Sequence, residues 1–413
     1  MFTSFSTALS ALDATSTAID VVGNNLANLN TPGFKESVVS FHDLVTQSLG
    51  AGLGETQVGF GVGSPVTLRQ FSQGAIQTTS GPLDAAIEGD GFFIVKDASG
   101  QTLYTRGGNL QVDQNGNLMT STGEQLQGWT NLNGSGVLDT NAPLSDIVVP
   151  VGTLKSPSAT QNISVDANLN AAGATGDQFS TTVEIYDSLG NSHVVTCKFT
   201  KSATANQWDY SLSVPDADLT SPFTPVTGTL TFDANGHLTS PAATDPAPQI
   251  PITGLADGAS DMTVNFNLYN GTTPRFTQYS QTSAVAAADH DGSAAANLVR
   301  IGLANGGKIL AQYSNGDQVV VGQLAMAIVR NPESLLAMGN NNYGLSARSA
   351  LPAIGLPDSG GRGSILGGAV EGSTVDIAKE FTNLIVLQRA YQANAKVVTT
   401  VDQLSQDTIS LKQ

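Results

Sequence analysis

Apolar side chains recur at helical spacing at the two ends of the chain and almost nowhere between. Phe2, Phe5, Leu9, Leu12, Ile19 and Leu26 fall on a three-four alternation, with Ser16 and Gly23 on the same stripe. That is a heptad seam with polar gaps. Ile377, Phe381, Leu384, Tyr391, Ala395 and Val398 repeat the pattern, and Val401 and Leu404 carry it on. Ser373 stands at the expected N-cap, with Asp376 three residues later as a short acid in the capping-box position. The spacing predicts helices of about 25 and nearly 40 residues, on the order of 40 and 60 Å long.

Between the ends the period changes from helical to alternating. Residues 31–75 are Gly-rich and irregular around GAGLGETQVGFGVGSP. From residue 76 onward, short alternating runs are separated by turn pairs, as strands and hairpins require. DQNGNL (113–118) and DANGHL (233–238) are near copies, each an Asn-Gly turn between apolar flanks, and YSNGD (313–317) and DSLGNSH (187–193) are similar. The segment 145–284 is rich in Thr, Pro and Ala and poor in charge, which marks it as a separate β unit inserted into the first. The expected fold class is mainly β with terminal helices, the outer of two β-rich domains being inserted in the inner one. Its expected order is N-terminal helix 1–30, extended linker 31–75, inner β domain 76–144 and 285–340, inserted outer β domain 145–284, linker 341–372 and C-terminal helix 373–413. The interrupted stripes are too weak to hold a two-helix hairpin alone, so the ends are expected to order within an assembly.

Composition narrows the partners. Only 12% of the 413 residues are charged, and a net charge of −17 with 17 Lys plus Arg argues against nucleic acid and against anionic lipid. The first basic residue is Lys35, so no basic region precedes an apolar run as in a secretory signal, and no apolar run is long enough to insert in a membrane. One cysteine, Cys197, excludes an intrachain disulfide framework and is read as a buried thiol in the apolar run HVVTCKF.

Candidate chemistry is sparse. GLANGGKI (302–309) matches a phosphate-binding loop, but Ile309 stands where a Ser or Thr must reach Mg²⁺, and KILAQYSNG alternates like a hairpin. DHDGS (289–293) begins like a Ca²⁺ loop but lacks a further acid at the needed distance. The four histidines (42, 193, 237, 290) fall in four segments without metal-ligand spacing. No catalytic, metal or cofactor-binding residues are assigned. GDGFF, with Gly89, Asp90, Gly91, Phe92 and Phe93, reads as a tight turn entering a strand. Phe92 and Phe93 point to opposite faces, so that one can serve an intersubunit contact, with core packing the default for both.

Three stretches together resemble a known family. SALSALDATSTAIDVVGNNLANLNTPGFK, AIEGDGFFIV with YTRGGNLQVDQNGNLMTSTGEQLQGW, and VDIAKEFTNLIVLQRAYQANAKVVTTVDQL lie in the order shown by the bacterial flagellar axial rod/hook family, hook members most closely. With the Gly- and Asn-rich return before the last helix they cover about half of the chain. One departure is Thr374, where the family usually has Asn.

The resemblance implies that the terminal helices pair as a coiled coil lining an inner tube, through Phe5, Leu9, Leu12, Ile19 and Leu26 with Ile377, Phe381, Leu384, Tyr391 and Val398. It also gives NNLANLNTPGFK (24–35) a meaning, as the place where the first helix hands the chain outward. Asn25 and Asn28 are expected to satisfy the last carbonyls or turn left-handed. Pro32 forbids continuation, Gly33 permits a reversal and Phe34 anchors the start of the linker.

What the family implies is a non-enzymatic subunit without cofactors that polymerises with itself into the flagellar hook, a flexible universal joint passing torque from rod to filament. Implied partners are the hook cap, the hook-length control protein, and the distal rod and hook-filament junction proteins. The implied location is extracellular, after export through the flagellar type III apparatus without a cleaved signal peptide. A distal rod subunit is the alternative within the family. A monomeric β-rich adhesive protein is the alternative outside it.

Overall fold

The two near-copy turns are built from one device. Asp113 Oδ1 accepts from the amides of Asn115 and Asn117, and Gly116 closes the turn at φ 88°. Asp233 does the same for Asn235 and His237, with Gly236 at φ 82°. The carboxylate satisfies loop amides while glycine takes the left-handed position, so the flanking strands reverse in register. Leu110–Val112 thereby pairs with Leu118–Thr120, and Val226–Phe232 with Leu238–Ser240, both antiparallel.

A computed structural model describes residues 2–44, 46–49, 56–131 and 138–410. Residues 50–55 of the expected linker, and the outermost positions 1 and 411–413 of the expected helices, lie outside the described residues. The chain divides into two units: Met1–Val151, Arg300–Ala311 and Gln318–Gln413 form the first, and Gly152–Val299 with Gln312–Asp317 the second.

The first unit holds both helices, α1 (Phe2–Ala27) and α2 (Ile377–Ser410). Its main sheet runs Gln318–Leu324, Gln125–Trp129, Phe92–Lys96, Thr102–Thr105, Asn342–Gly344, Leu336–Gly339 in neighbour order. Both faces of Phe92–Lys96 are covered. Phe93 and Val95 join Ile87, Leu118 and Leu126 in one apolar cluster, while Phe92 and Ile94 join Tyr104, Trp129 and Tyr343 in another. The GDGFF aromatics thus serve opposite faces and are both buried inside the unit.

Three sequence expectations meet corrections here. The extended linker 31–75 contains a long hairpin, with Ser37–Ser40 against Val66–Arg69 and Thr46–Leu49 against Thr56–Gly59. The linker 341–372 contains several short strands. Ala353–Gly355 pairs with Met326–Ile328, Ser364–Gly367 with Ala85–Glu88, and Ala369–Glu371 with Ile76–Thr78. These strands are three or four residues long, too short to print an alternation, and their partners are distant in sequence. The last helix starts at Ile377 rather than near Ser373. Residues 372–375 are held extended by Thr374 N donating to Phe34 O (3.1 Å) and Glu36 N donating to Thr374 Oγ1 (2.8 Å). Asp376 then caps the helix, accepting from the amides of Ala378 and Lys379.

Two five-stranded sheets of the second unit enclose one core. Gln178–Tyr186, Ser192–Lys201, Gln207–Ser213, Val226–Phe232 and Leu238–Ser240 form an antiparallel meander. Asn162–Asn168 pairs with Met262–Asn267 and with Ala284–His290 in the other sheet. Trp208, Phe199, Phe266 and Phe276 fill the space between them. Where sequence boundaries suggested 145 and 284, the division falls at 152 and 299. Ile147 and Val149 belong to the first unit's core, and Ala284–His290 is a strand of the second. Cys197 lies in this core, where burial pushes its thiol pKa up to about 12. GLANGGKI is strand, turn and strand, with no helix for a phosphate to rest on.

Candidate assembly surface and its buried anchor

The stretch 24–35 ends α1 by a sequence of specific bonds. Asn28 donates from Nδ2 to the helical carbonyl of Asn24 (2.9 Å), as its position suggested. Asn25 does something else. Its buried side chain donates to Ser37 O (2.9 Å) and accepts from Ser37 N (3.0 Å), mimicking a strand neighbour and fastening Ser37–Ser40 to the helix. α1 already ends at Ala27, before Pro32, whose carbonyl accepts from Asn341 Nδ2 (3.0 Å). Gly33 reverses the chain at φ +70°, donating its amide to Glu371 O (2.7 Å). A Cβ on Gly33 would lie 2.6 Å from the Arg106 carbonyl carbon, so both the angle and the space require glycine. Phe34 is buried just beyond the reversal.

Next to it is a charge cluster that sequence reasoning missed. The side chains of Lys35 and Glu371 are fully buried, and Arg106 nearly so. Lys35 Nζ donates to Glu371 Oε1 (2.6 Å) and to Ser72 O (2.6 Å). Arg106 Nη1 donates to Glu371 Oε2 (3.2 Å), and its Nη2 donates to Gly89 O (2.8 Å). Gly74 N (2.7 Å) and Gln73 Nε2 (3.2 Å) also donate to the carboxylate. Burial pulls the pKa values of Lys35 and Arg106 down while the Glu371 charge opposes that drop. Arg106 also stacks over Phe92, 5.3 Å from the ring centroid. The helix turn, the TRGG strand end, the GDGFF turn and the strand before α2 thus meet at one carboxylate. Only Lys35, the first basic residue and the last of the NNLANLNTPGFK stretch, carried any signal of this; Glu371 carried none.

The helices show two stripes where the sequence suggested one. On α1 the buried positions are Ala8, Ala14, Thr15, Ala18, Val22 and Asn25. This narrow face of mostly small residues lies against α2 and Ser37–Ser40. The expected seam residues sit one position further round. Phe5 and Leu9 are exposed (Leu9 by 54%), and Leu12, Ile19 and Leu26 are half-buried. On α2, Leu384 and Val398 are half-buried, while Ile377, Phe381 and Tyr391 are exposed, together with Ile385, Val386, Val397 and Leu404. Glu380 is buried beside the end of α1, and burial raises its carboxyl pKa, although the Asn25 side chain acts against that. The 37–69 hairpin adds Val38, Phe41, Leu44, Phe60, Val66 and Leu68, also exposed. A row of large apolar side chains left in water after folding is a candidate interaction surface. No helix among the described residues is long and apolar enough to cross a membrane.

Comparison with known proteins agrees segment by segment. Residues 5–35 match the family described as flagella basal body rod protein, and 86–169 the flagellar hook protein FlgE/F/G D1 domain. Residues 158–293 match the flagellar basal body protein FlaE D2 domain, and 366–411 the flagellar basal body rod FlgEFG protein C-terminal family. The chain is 33% identical to the flagellar hook protein FlgE of Borreliella burgdorferi over all of both chains. It is 32% identical to that of Salmonella typhimurium over 99% of this chain and all of the relative. The crystal structure of Helicobacter pylori flagellar hook protein FlgE2 superposes with a TM-score of 0.54 at 14% identity, covering 70% of this chain and 99% of that one, which shows a shared fold. With its terminal helices, its two β units and its full-length similarity to hook subunits, the chain belongs to the flagellar hook protein FlgE family.

Proposed function

We propose that this chain polymerises with copies of itself into the flagellar hook through the exposed stripes of α1 and α2, as a structural subunit without catalysis. The observation that carries the reading is the split between faces. Small residues close α1 onto its own chain, while Phe5, Leu9, Ile377, Phe381 and Tyr391 remain in water. The buried Lys35–Glu371–Arg106 cluster gives those helices a fixed base on the first unit, so load on the helices reaches the sheet through ionic and hydrogen bonds. The second unit serves as the sliding outer layer of a flexible joint. Hook cap, hook-length control protein, distal rod and hook-filament junction proteins are the partners this role requires. Export through the flagellar type III apparatus, without a cleaved signal, would deliver the chain to the cell exterior.

Truncation tests the assignment. Removing residues 1–30 or 373–413 is expected to leave β units that keep their strand signal in circular dichroism but form no tubes in electron microscopy. Normal tubes from either truncation contradict it. A monomeric adhesive role would leave the exposed helix stripes without use.

A further inference from the structure

In the second unit, three segments bring an imidazole among three carboxylates. His193 Nε2 lies 3.3 Å from Asp187 Oδ2 and 3.4 Å from Asp257 Oδ2, and its Nδ1 lies 3.3 Å from Asp218 Oδ2. The His193 side chain is 7% exposed and that of Asp187 not at all, whereas Asp257 and Asp218 stay partly open to solvent. Among the described residues, no Lys or Arg pairs with any of the three acids, so at best one positive charge faces three negative ones.

The imidazole makes a hydrogen bond with Asp187 Oδ2 through Nε2 (3.3 Å), and its buried Nδ1 faces Asp218 Oδ2 without hydrogen-bond geometry. The separations at Nε2 exceed the 2.7–2.9 Å of charge-assisted hydrogen bonds. They match the spacing of about 3.4 Å between ligand atoms around a tetrahedral ion with bonds of about 2.1 Å. The three ligand atoms of Asp187, His193 and Asp257 all lie within 4.8 Å of one another.

The supporting shell is also present. Asp187 Oδ1 is pinned by the amides of Leu189 and Asn191, while Oδ2 accepts from Asn191 Nδ2 (3.4 Å) and faces His193 Nε2. Asn191 Nδ2 donates to Asp257 Oδ2 (3.0 Å), and Asp218 sits where the second imidazole nitrogen of a metal ligand finds its carboxylate.

We propose that Asp187, His193 and Asp257 bind one divalent transition-metal ion of the Zn²⁺ or Mn²⁺ class, with Asp218 orienting the imidazole. One nitrogen and two carboxylate oxygens suit these ions, whereas Mg²⁺ favours oxygen-only, octahedral sites. The bound ion fastens the 187–193 turn to the loops carrying Asp218 and Asp257, stiffening that end of the unit. Sequence spacing hid the site because its ligands come from separate turns.

The test is titration calorimetry of the EDTA-dialysed full-length chain with ZnCl₂, MnCl₂ and MgCl₂. One equivalent of Zn²⁺ or Mn²⁺ is expected to bind, and Mg²⁺ at the same concentration is not. Asp257→Asn, in an open loop that leaves folding intact by circular dichroism, is expected to weaken binding at least tenfold, and His193→Gln to abolish the one-equivalent phase. Absence of a saturable one-equivalent phase overturns the proposal, as does equal affinity for Mg²⁺ or an affinity unchanged in Asp257→Asn. Should His193→Gln fail to fold, the Asp257→Asn comparison decides alone.

Discussion

Gly33 and Glu371 are single residues on which the helix-to-sheet junction turns. Gly33 was legible, because Pro-Gly after an Asn-rich helix end announces a stop and a reversal. What the sequence did not announce is the backbone of Arg106 packed against it. Gly33→Ala is expected to cost at least about 2 kcal/mol, from the positive φ and the clash together, read as a lower denaturation midpoint of the first unit. Glu371 was illegible, since its partner Lys35 stands 336 positions away and a lone Glu among Gly, Ala and Val carries no pattern. Removing it leaves two buried cations without their counter-charge. Glu371→Ala is therefore expected to destabilise the first unit by about 3–5 kcal/mol, a drop in melting temperature of roughly 10 °C by calorimetry. A change below 1 kcal/mol would show that the cluster does not anchor the junction.

The helices display how far periodicity reads and where it stops. Both were visible as three-four alternations of large apolar residues, and their extents come close to those found. The face that closes inside one chain was not visible, because Ala8, Thr15, Ala18 and Asn25 do not register as a hydrophobic stripe. They pack because small side chains let the neighbouring elements approach. The buried face of α1 carries mostly small residues, while Phe5 and Leu9 on the neighbouring stripe are exposed. Leu9→Ser and Phe381→Ser are expected to change monomer stability by no more than about 0.5 kcal/mol, the usual range for exposed positions, while preventing tube formation in sedimentation assays. A loss of monomer stability of 2 kcal/mol or more would place those residues in an internal seam instead. The hairpin from Ser37 to Arg69 escaped sequence reading for a related reason. Its four-residue strands are too short to show an alternation, and Val38, Phe41, Phe60, Val66 and Leu68 stay exposed.

Taken as a whole, the molecule puts its cores in strands and leaves its ends unfinished. The β units carry three apolar clusters, while most of the large apolar side chains of α2 face water. The strand-rich middle was legible as a class from its turns and alternation, but its boundaries and the folding-in of residues 341–372 were not, because long-range pairing leaves no local mark. We propose that the outward stripes of α1 and α2 find cover among neighbouring copies. Hydrogen–deuterium exchange, comparing the dispersed chain with assembled tubes, addresses it residue by residue. Amides in Phe2–Ala27 and Ile377–Ser410 are expected to exchange quickly in the dispersed chain and to gain at least tenfold protection in tubes, while strands such as Phe92–Lys96 and Ser192–Lys201 stay protected in both. Helices already as protected as those strands in the dispersed chain, with no gain on assembly, would contradict the account.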